Sequence, residues 1–300
     1  MRRVAISAIC ACACACTNHS EDKVEPLYNI VPDIRSCSAG EVSQEEKNKV
    51  LVYVNKLREA YGLPAVEYDK SRDAITQKAA LLGASKATVD ETPSSDDECY
   101  VPDASAGWGA SVLSLWGSAS SKWTTSDVHI NDFLMEKGRS DLKRRRALLN
   151  PFLSKISFGR VIGTPRRGDY QYVSVAALHV KSDDADLSEK NIPEIVAFPR
   201  GVCEAKFLDL HLVLNFSVVS NKLARANNTA DFSNATVEVL AGSQPATVSD
   251  VEYDNLPEGL PNNLQWKVNG LNKGITYTVR ITNVVIDDES KDYEYTFSFK

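Results

Sequence analysis

The 300 residues are 43% hydrophobic and 25% charged, the balance of an ordinary soluble globular protein rather than a disordered chain. The formal net charge of -6 excludes a globally basic surface of the kind that draws a protein to nucleic acid, and no nucleic-acid partner is expected. Length alone implies about two domains.

At the N-terminus, Arg2 and Arg3 precede an apolar stretch of small residues that runs to Cys16. A positive, then apolar, then polar order reads as an export signal over 1–16, too short to span a bilayer as a helix. The competing reading is a soft-metal tract, because Cys10, Cys12, Cys14 and Cys16 alternate. The segment also resembles a bacterial lipoprotein signal. Ile9-Cys10-Ala11-Cys12 fits the lipobox pattern, whereas Ala13-Cys14-Ala15-Cys16 stands directly before the polar segment. Cys16 is taken as the lipidated residue, 17–40 as a flexible tether, and the membrane as a partner through that anchor. Export places Cys37, Cys99 and Cys203 in an oxidising compartment. With three of them, the pairing stays open.

Residues 45–61 read as a helix, with Val50, Leu51, Val54, Leu57 and Tyr61 on one face and Gly62 ending it. Asp69 is a cap for a second helix lined by Ile75, Ala79 and Leu82. The Asp-, Ser- and Pro-rich stretch 90–109 reads as a loop. A third helix begins near Ser126 and stops at Gly138, and a short basic helix over 142–149 ends before Pro151. Residues 156–162 and 170–180 read as an antiparallel hairpin around the Pro165-Arg166-Arg167-Gly168 turn. Helices followed by a hairpin suggest an α+β layered domain over 41–185. After a charged stretch the pattern changes to period two. Leu212, Leu214, Phe216 and Val218 alternate, as do Leu264, Trp266 and Val268, and Tyr293, Tyr295, Phe297 and Phe299. Residues 193–300 therefore read as an immunoglobulin-like antiparallel β-sandwich.

Three stretches give the first domain a resemblance. They are Asn55-Lys56-Leu57-Arg58-Glu59-Ala60-Tyr61-Gly62-Leu63-Pro64 with Tyr68-Asp69, then Cys99-Tyr100 through Ala106-Gly107 to Ser111, then Arg144-Arg145-Arg146-Ala147-Leu148-Leu149-Asn150-Pro151 running on to Ile156-Ser157-Phe158-Gly159. Together they resemble the CAP family (cysteine-rich secretory, antigen 5, pathogenesis-related 1; SCP-like). The region around Asp231-Phe232-Ser233-Asn234 and Gly259-Leu260-Pro261-Asn262-Asn263-Leu264-Gln265-Trp266 resembles the β domain appended to bacterial members. The resemblance implies an α-β-α layered domain and a cleft in which relatives hold a cation with two histidines and two acids. Here the histidine positions fall on Glu91 and Arg144, and the family's Gly-Glu-Asn segment reads Gly109-Ala110-Ser111. Arginine has no lone pair to give a cation, so no metal and no cofactor are expected. An acid remains at Asp132 or Glu136. If Glu91 and Arg144 face each other across the cleft, they would form a salt bridge in the metal's place.

Other chemistry is sparse. His129 follows Ser126-Asp127 and precedes Asp132. A catalytic set of Ser126, His129 and Asp132 is the hydrolase reading, while neighbours on one helix rarely reach triad geometry, so the rival is a surface histidine near capping residues. Arg144, Arg145 and Arg146, with Lys143, Arg139, Arg166 and Arg167, form a basic group. It reads either as a solvated face paired with the acidic loop 90–98 or as an anion site. Trp108, Trp116 and Trp123 read as core packing or as a sugar- or lipid-stacking surface. The expected function is a non-enzymatic binding or scaffold module of the cell envelope, using Glu91, Ser111, Arg144, Arg145, Arg146 and Trp108 toward an envelope polymer, glycan or protein ligand. The alternative is a secreted, peptidase-like hydrolase. Binding of a sterol or fatty ligand rests on the family resemblance alone.

Overall fold

The computed structural model describes residues 27–119 and 124–300. The export signal, Cys16, His19 and Trp123 lie outside the described residues. Among those described, no helix is long and apolar enough to cross a membrane.

The chain is α+β. Its described part begins with β1 (Tyr28–Ile30), which pairs antiparallel with β2 (Glu41–Val42). Ile34 between them is 4% exposed and joins the core of the second helix. From Leu27 onward the expected tether is therefore folded chain, because burying Tyr28, Ile34 and Val42 outweighs the polarity of the residues around them. Cys37 bridges to Cys99 and closes this flap, leaving Cys203 as a buried free thiol.

Helix α1 (Gln44–Ala60) starts where Ser43 Oγ accepts the Glu46 amide at 3.2 Å, with Glu45 and Glu46 in its first turn. Two motif residues on it are structural. The Asn55 side chain both donates to and accepts from the Val66 backbone. Arg58 is fully buried and donates to the carbonyls of Pro64, Leu148 and Asn150. After β3 (Glu67–Tyr68), Asp69 caps a 3-10 turn through the Ser71 amide, and α2 (Asp73–Lys86) follows. The expected loop 90–109 ends instead in a helix, α3 (Pro102–Gly109), started by proline at its first turn, where the missing N–H costs nothing. Next come β4 (Ser111–Ser118), α4 (Ser126–Met135), α5 (Lys143–Leu148), β5 (Lys155–Gly163) and β6 (Tyr172–His179).

The sheet order is β3-β5-β6-β4. Strand β4 is an addition to the expected hairpin, and its Gly/Ser-rich sequence hides its alternation. Leu113, Val161, Val173, Val175 and Ala177 cover one face and pack on Ala79, Ala80 and Ala84 of α2. Gly159 allows this approach, since a Cβ there would lie 2.6 Å from the Thr76 carbonyl oxygen. Val112, Ile156, Phe158, Ala176 and Leu178 cover the other face, in one core with Val54 of α1 and Ile130, Phe133 and Leu134 of α4.

The remaining strands are β7 (Ile195–Phe198), β8 (Gly201–Cys203), β9 (Val213–Val218), β10 (Ala230–Asp231), β11 (Thr236–Ala241), β12 (Gln244–Pro245), β13 (Val248–Asp254), β14 (Asn263–Val268), β15 (Thr276–Ile286) and β16 (Glu289–Phe299). They make one sheet ordered β13-β14-β9-β7 and another ordered β12-β11-β15-β16-β8, with β10 also on β15. Phe216 of β9 meets Tyr293 of β16 with ring centroids 5.3 Å apart, so side chains of the two sheets share a core. Trp266, Phe216, Phe297 and Tyr277 are among its most buried members.

Candidate functional site

The site begins with the turn between α4 and α5. Helix α4 ends at Glu136 in the left-handed region (φ 49°), short of the expected stop at Gly138. The early stop turns the Glu136 carboxylate inward, where its side chain has no exposure. Arg144 Nε donates to Glu136 Oε2 at 2.7 Å, and the Arg145 amide donates to Oε1 at 2.9 Å. One Arg144 Nη also donates to the Leu113 carbonyl at 3.2 Å and reaches Asp132 Oδ2 at 3.5 Å. Burial raises the Glu136 pKa above the usual carboxylate value, against the opposing pull of Arg144. With both its oxygens engaged by donors, Glu136 serves as the arginine's counterion.

Arg144 does not pair with Glu91. Glu91 is exposed, and the acidic loop meets the basic group through Asp90 with Arg139 and Glu98 with Arg166. Because α4 and α5 are neighbours in sequence, the carboxylates nearest Arg144 come from α4 and its C-terminal cap.

Arg145 and Arg146 also turn inward, so the basic triplet is not the exposed anion-binding rim that its sequence suggests. Arg145 is 0% exposed. It donates to the Leu134, Met135 and Val213 carbonyls and to Asn215 Oδ1, and lies 4.5 Å from the Phe198 ring centroid. Arg146 pairs with Asp254 at 2.8 Å and donates to the Leu256 and Leu260 carbonyls. Gly259 lies so close that a Cβ would sit 2.3 Å from the Arg146 carbonyl oxygen. These two arginines clamp the helical part onto the β sheets. Ser111 and Trp108 belong to the opposite face. Ser111 alternates with Ser114 along β4 and carries a buried hydroxyl without a hydrogen-bond partner. Trp108 is half-buried against Gly83 of α2.

His129 is fully buried and not a surface residue. Its Nδ1 lies 3.0 Å from Ser114 Oγ, and its Nε2 lies 2.9 Å from Ser174 Oγ and 3.2 Å from Thr124 Oγ1. Ser114 donates to Asp132 Oδ2 at 2.6 Å, which spends its only proton. Nδ1 must therefore carry the imidazole proton and donate to Ser114. Ser174 Oγ accepts from Arg160 Nε at 3.3 Å, leaving its own proton for Nε2. Ser126 instead accepts from Arg160 at 3.0 Å. The set Ser126, His129 and Asp132 does not assemble, because each hydroxyl that reaches the ring comes from elsewhere. Ser174 was legible only as a polar residue inside an apolar strand, and Ser114 not at all, because its strand was hidden in Gly/Ser-rich sequence.

Burial first, and Arg160 second, push the His129 pKa well below its usual value. The neutral ring is held with both nitrogens occupied, which makes it a poor general base. A stability consequence follows. The unfolded chain takes up a proton near pH 6.5 while the folded chain does not, so stability present above pH 6.5 is lost as pH falls below it. The expected loss from His129 is about 1.4 kcal/mol per pH unit until the folded-state pKa is reached. Urea titrations at stepped pH on the full chain and on His129→Gln check this: the variant should show a shallower acid slope by that amount. Equal slopes would mean that His129 is not buried neutral.

Among the described residues, no three His, Cys, Asp or Glu side chains are grouped to hold a metal ion. Compared with models of known protein families and with curated proteins, the chain matches none.

Proposed function

We propose that this chain is an exported, lipid-anchored binding or scaffold module of the cell envelope, built from a CAP-like α-β-α domain and an immunoglobulin-like β-sandwich, in which an arginine stands where relatives of the CAP family hold a cation. The observation that carries this reading is Arg144, 9% exposed, with Glu136, Asp132 and the Leu113 carbonyl around its guanidinium. A fixed positive charge among the acidic groups repels a metal ion and supplies no lone pair. Helices on both faces of a four-stranded sheet support the CAP-like part, and two facing sheets, antiparallel except for the parallel β16–β8 edge, support the sandwich. The Cys37–Cys99 bridge supports export to an oxidising compartment. Anchoring at Cys16 rests on the N-terminal sequence. The hydrolase alternative is weakened by the occupied His129 ring and by Arg144 on Asp132.

The test is calorimetric titration of zinc into the full chain and into Arg144→His. The natural protein should give no heat from a site at Glu136. The variant, which places an imidazole beside two carboxylates, should gain zinc binding. Tight zinc binding by the natural protein that is lost in Glu136→Gln would overturn the reading and promote the enzyme. Cysteines 10–16 are a separate thiol tract, so the titration is repeated with them alkylated.

A further inference from the structure

Strands β4 and β6 end in an aromatic cleft that lies apart from the arginine cluster. Its volume is 140 Å³, and its described lining is Trp116, Gly117, Ser118, Thr124, Tyr172, Val173 and Ser174. Trp116 lies opposite Ser174 and Tyr172 opposite Ser118 in the β4–β6 register, so these four side chains share one face of the sheet. Trp116, near the end of β4, is 43% exposed, an unusual state for tryptophan in a strand.

The polar groups there are hydroxyls, and none of the described lining residues carries a charge. One hydroxyl has lone pairs to spare. His129 Nε2 offers a single lone pair, and Ser174 occupies it at 2.9 Å while its own oxygen accepts from Arg160. Thr124 Oγ1, at 3.2 Å from the same nitrogen, is a second and longer donor to it and keeps its lone pairs for a donor on the cleft side. The buried imidazole thus orders the hydroxyls beneath the aromatic wall.

We infer that this cleft binds a neutral sugar residue of a glycan, stacked on the Trp116 ring and hydrogen-bonded by Thr124. The inference rests on the binding-module reading and deepens it by naming the ligand class. Flat apolar area beside hydroxyls that both donate and accept suits the C–H face and the O–H groups of a pyranose. The described lining offers an acidic polymer no charged side chain, and Arg145 and Arg146, the cations first suggested for that task, are spent inside the fold.

The experiment is calorimetric titration of the full chain with chitotetraose, cellotetraose and mannotetraose, beside tetragalacturonate as an acidic probe. At least one neutral tetramer should bind at one site per chain, and tetragalacturonate should not. Trp116→Ala should weaken binding at least tenfold, Thr124→Val about fivefold, and Trp116→Phe should recover most of the loss. Trp116 is exposed enough for the variants to fold, which far-UV circular dichroism checks. The site is overturned if no neutral tetramer binds, if only the acidic probe binds, or if Trp116→Ala binds as the natural protein does. Co-sedimentation with insoluble cell-wall sacculi separates the two levels. Sedimentation that survives Trp116→Ala removes this site and leaves the binding module, whereas no sedimentation and no sugar binding remove both.

Discussion

Arg145→Ala is expected to destabilise the full chain by about 3–5 kcal/mol, the range for breaking a buried charged network, with a fall in Tm of roughly 10 °C. The guanidinium is wholly buried and serves acceptors on both sides of the junction: the Leu134 and Met135 carbonyls at the end of α4, and Val213 O and Asn215 Oδ1 on β9. Truncation leaves those acceptors without donors in a dry interior, each costing about 1–3 kcal/mol if water cannot reach it. It also removes the cation from the face of Phe198. Arg145→Lys should recover less than half of the loss, because one ammonium cannot span the acceptors that a planar fork reaches. Differential scanning calorimetry on the three proteins checks both values. A loss below about 1 kcal/mol would mean that the helical part and the β sheets are not clamped through this side chain.

Reduction of the Cys37–Cys99 bridge, or replacement of both cysteines by serine, is expected to cost about 4 kcal/mol in the chain-entropy model. The bridge closes 62 residues of sequence separation. Cross-linking them restricts the unfolded chain, and the restriction grows slowly with loop length. The bridge also pins the flap that places Ile34 against Ala79 and Ala84 of α2 and Val161 of β5. The urea midpoint of the full chain, with and without a reductant, reads the effect, and the double-serine variant should be insensitive to reductant. An unchanged midpoint on reduction would mean that the thiols are not joined, and would withdraw the support that the bridge lends to an oxidising compartment. Cys203 gives no competing signal in the folded state, since it is buried behind Arg200 and Tyr61.

Much of the fold was present in sequence patterns that act locally. The stripe Val50, Val54 and Leu57 determines that residues 44–60 form a one-sided helix, and the alternation of Tyr295, Phe297 and Phe299 determines a strand with one buried face. Turn and cap residues act over a few positions, so Ser43 and Gly62 behave as their local chemistry dictates, whereas Asp69 caps a 3-10 turn ahead of α2 and not α2 itself. Strand β4 was not legible, because Gly- and Ser-rich sequence has little strand preference and is held only by pairing with β6. The site was less legible still. Arg144, Arg145 and Arg146 read as a surface run, since charge ordinarily stays in water. Only the folded chain brings Glu136, Asp254 and the unpaired carbonyls at element ends close enough to offset their desolvation. His129 was legible as a residue of interest but not its partners, because Ser114 and Ser174 stand 15 and 45 positions away and meet it through strand pairing. Sequence by itself determined most of the longer elements, through periodicity and caps. Tertiary structure alone decided which polar groups face each other, because a hydrogen bond depends on distance and angle in space and leaves no periodic trace in the chain.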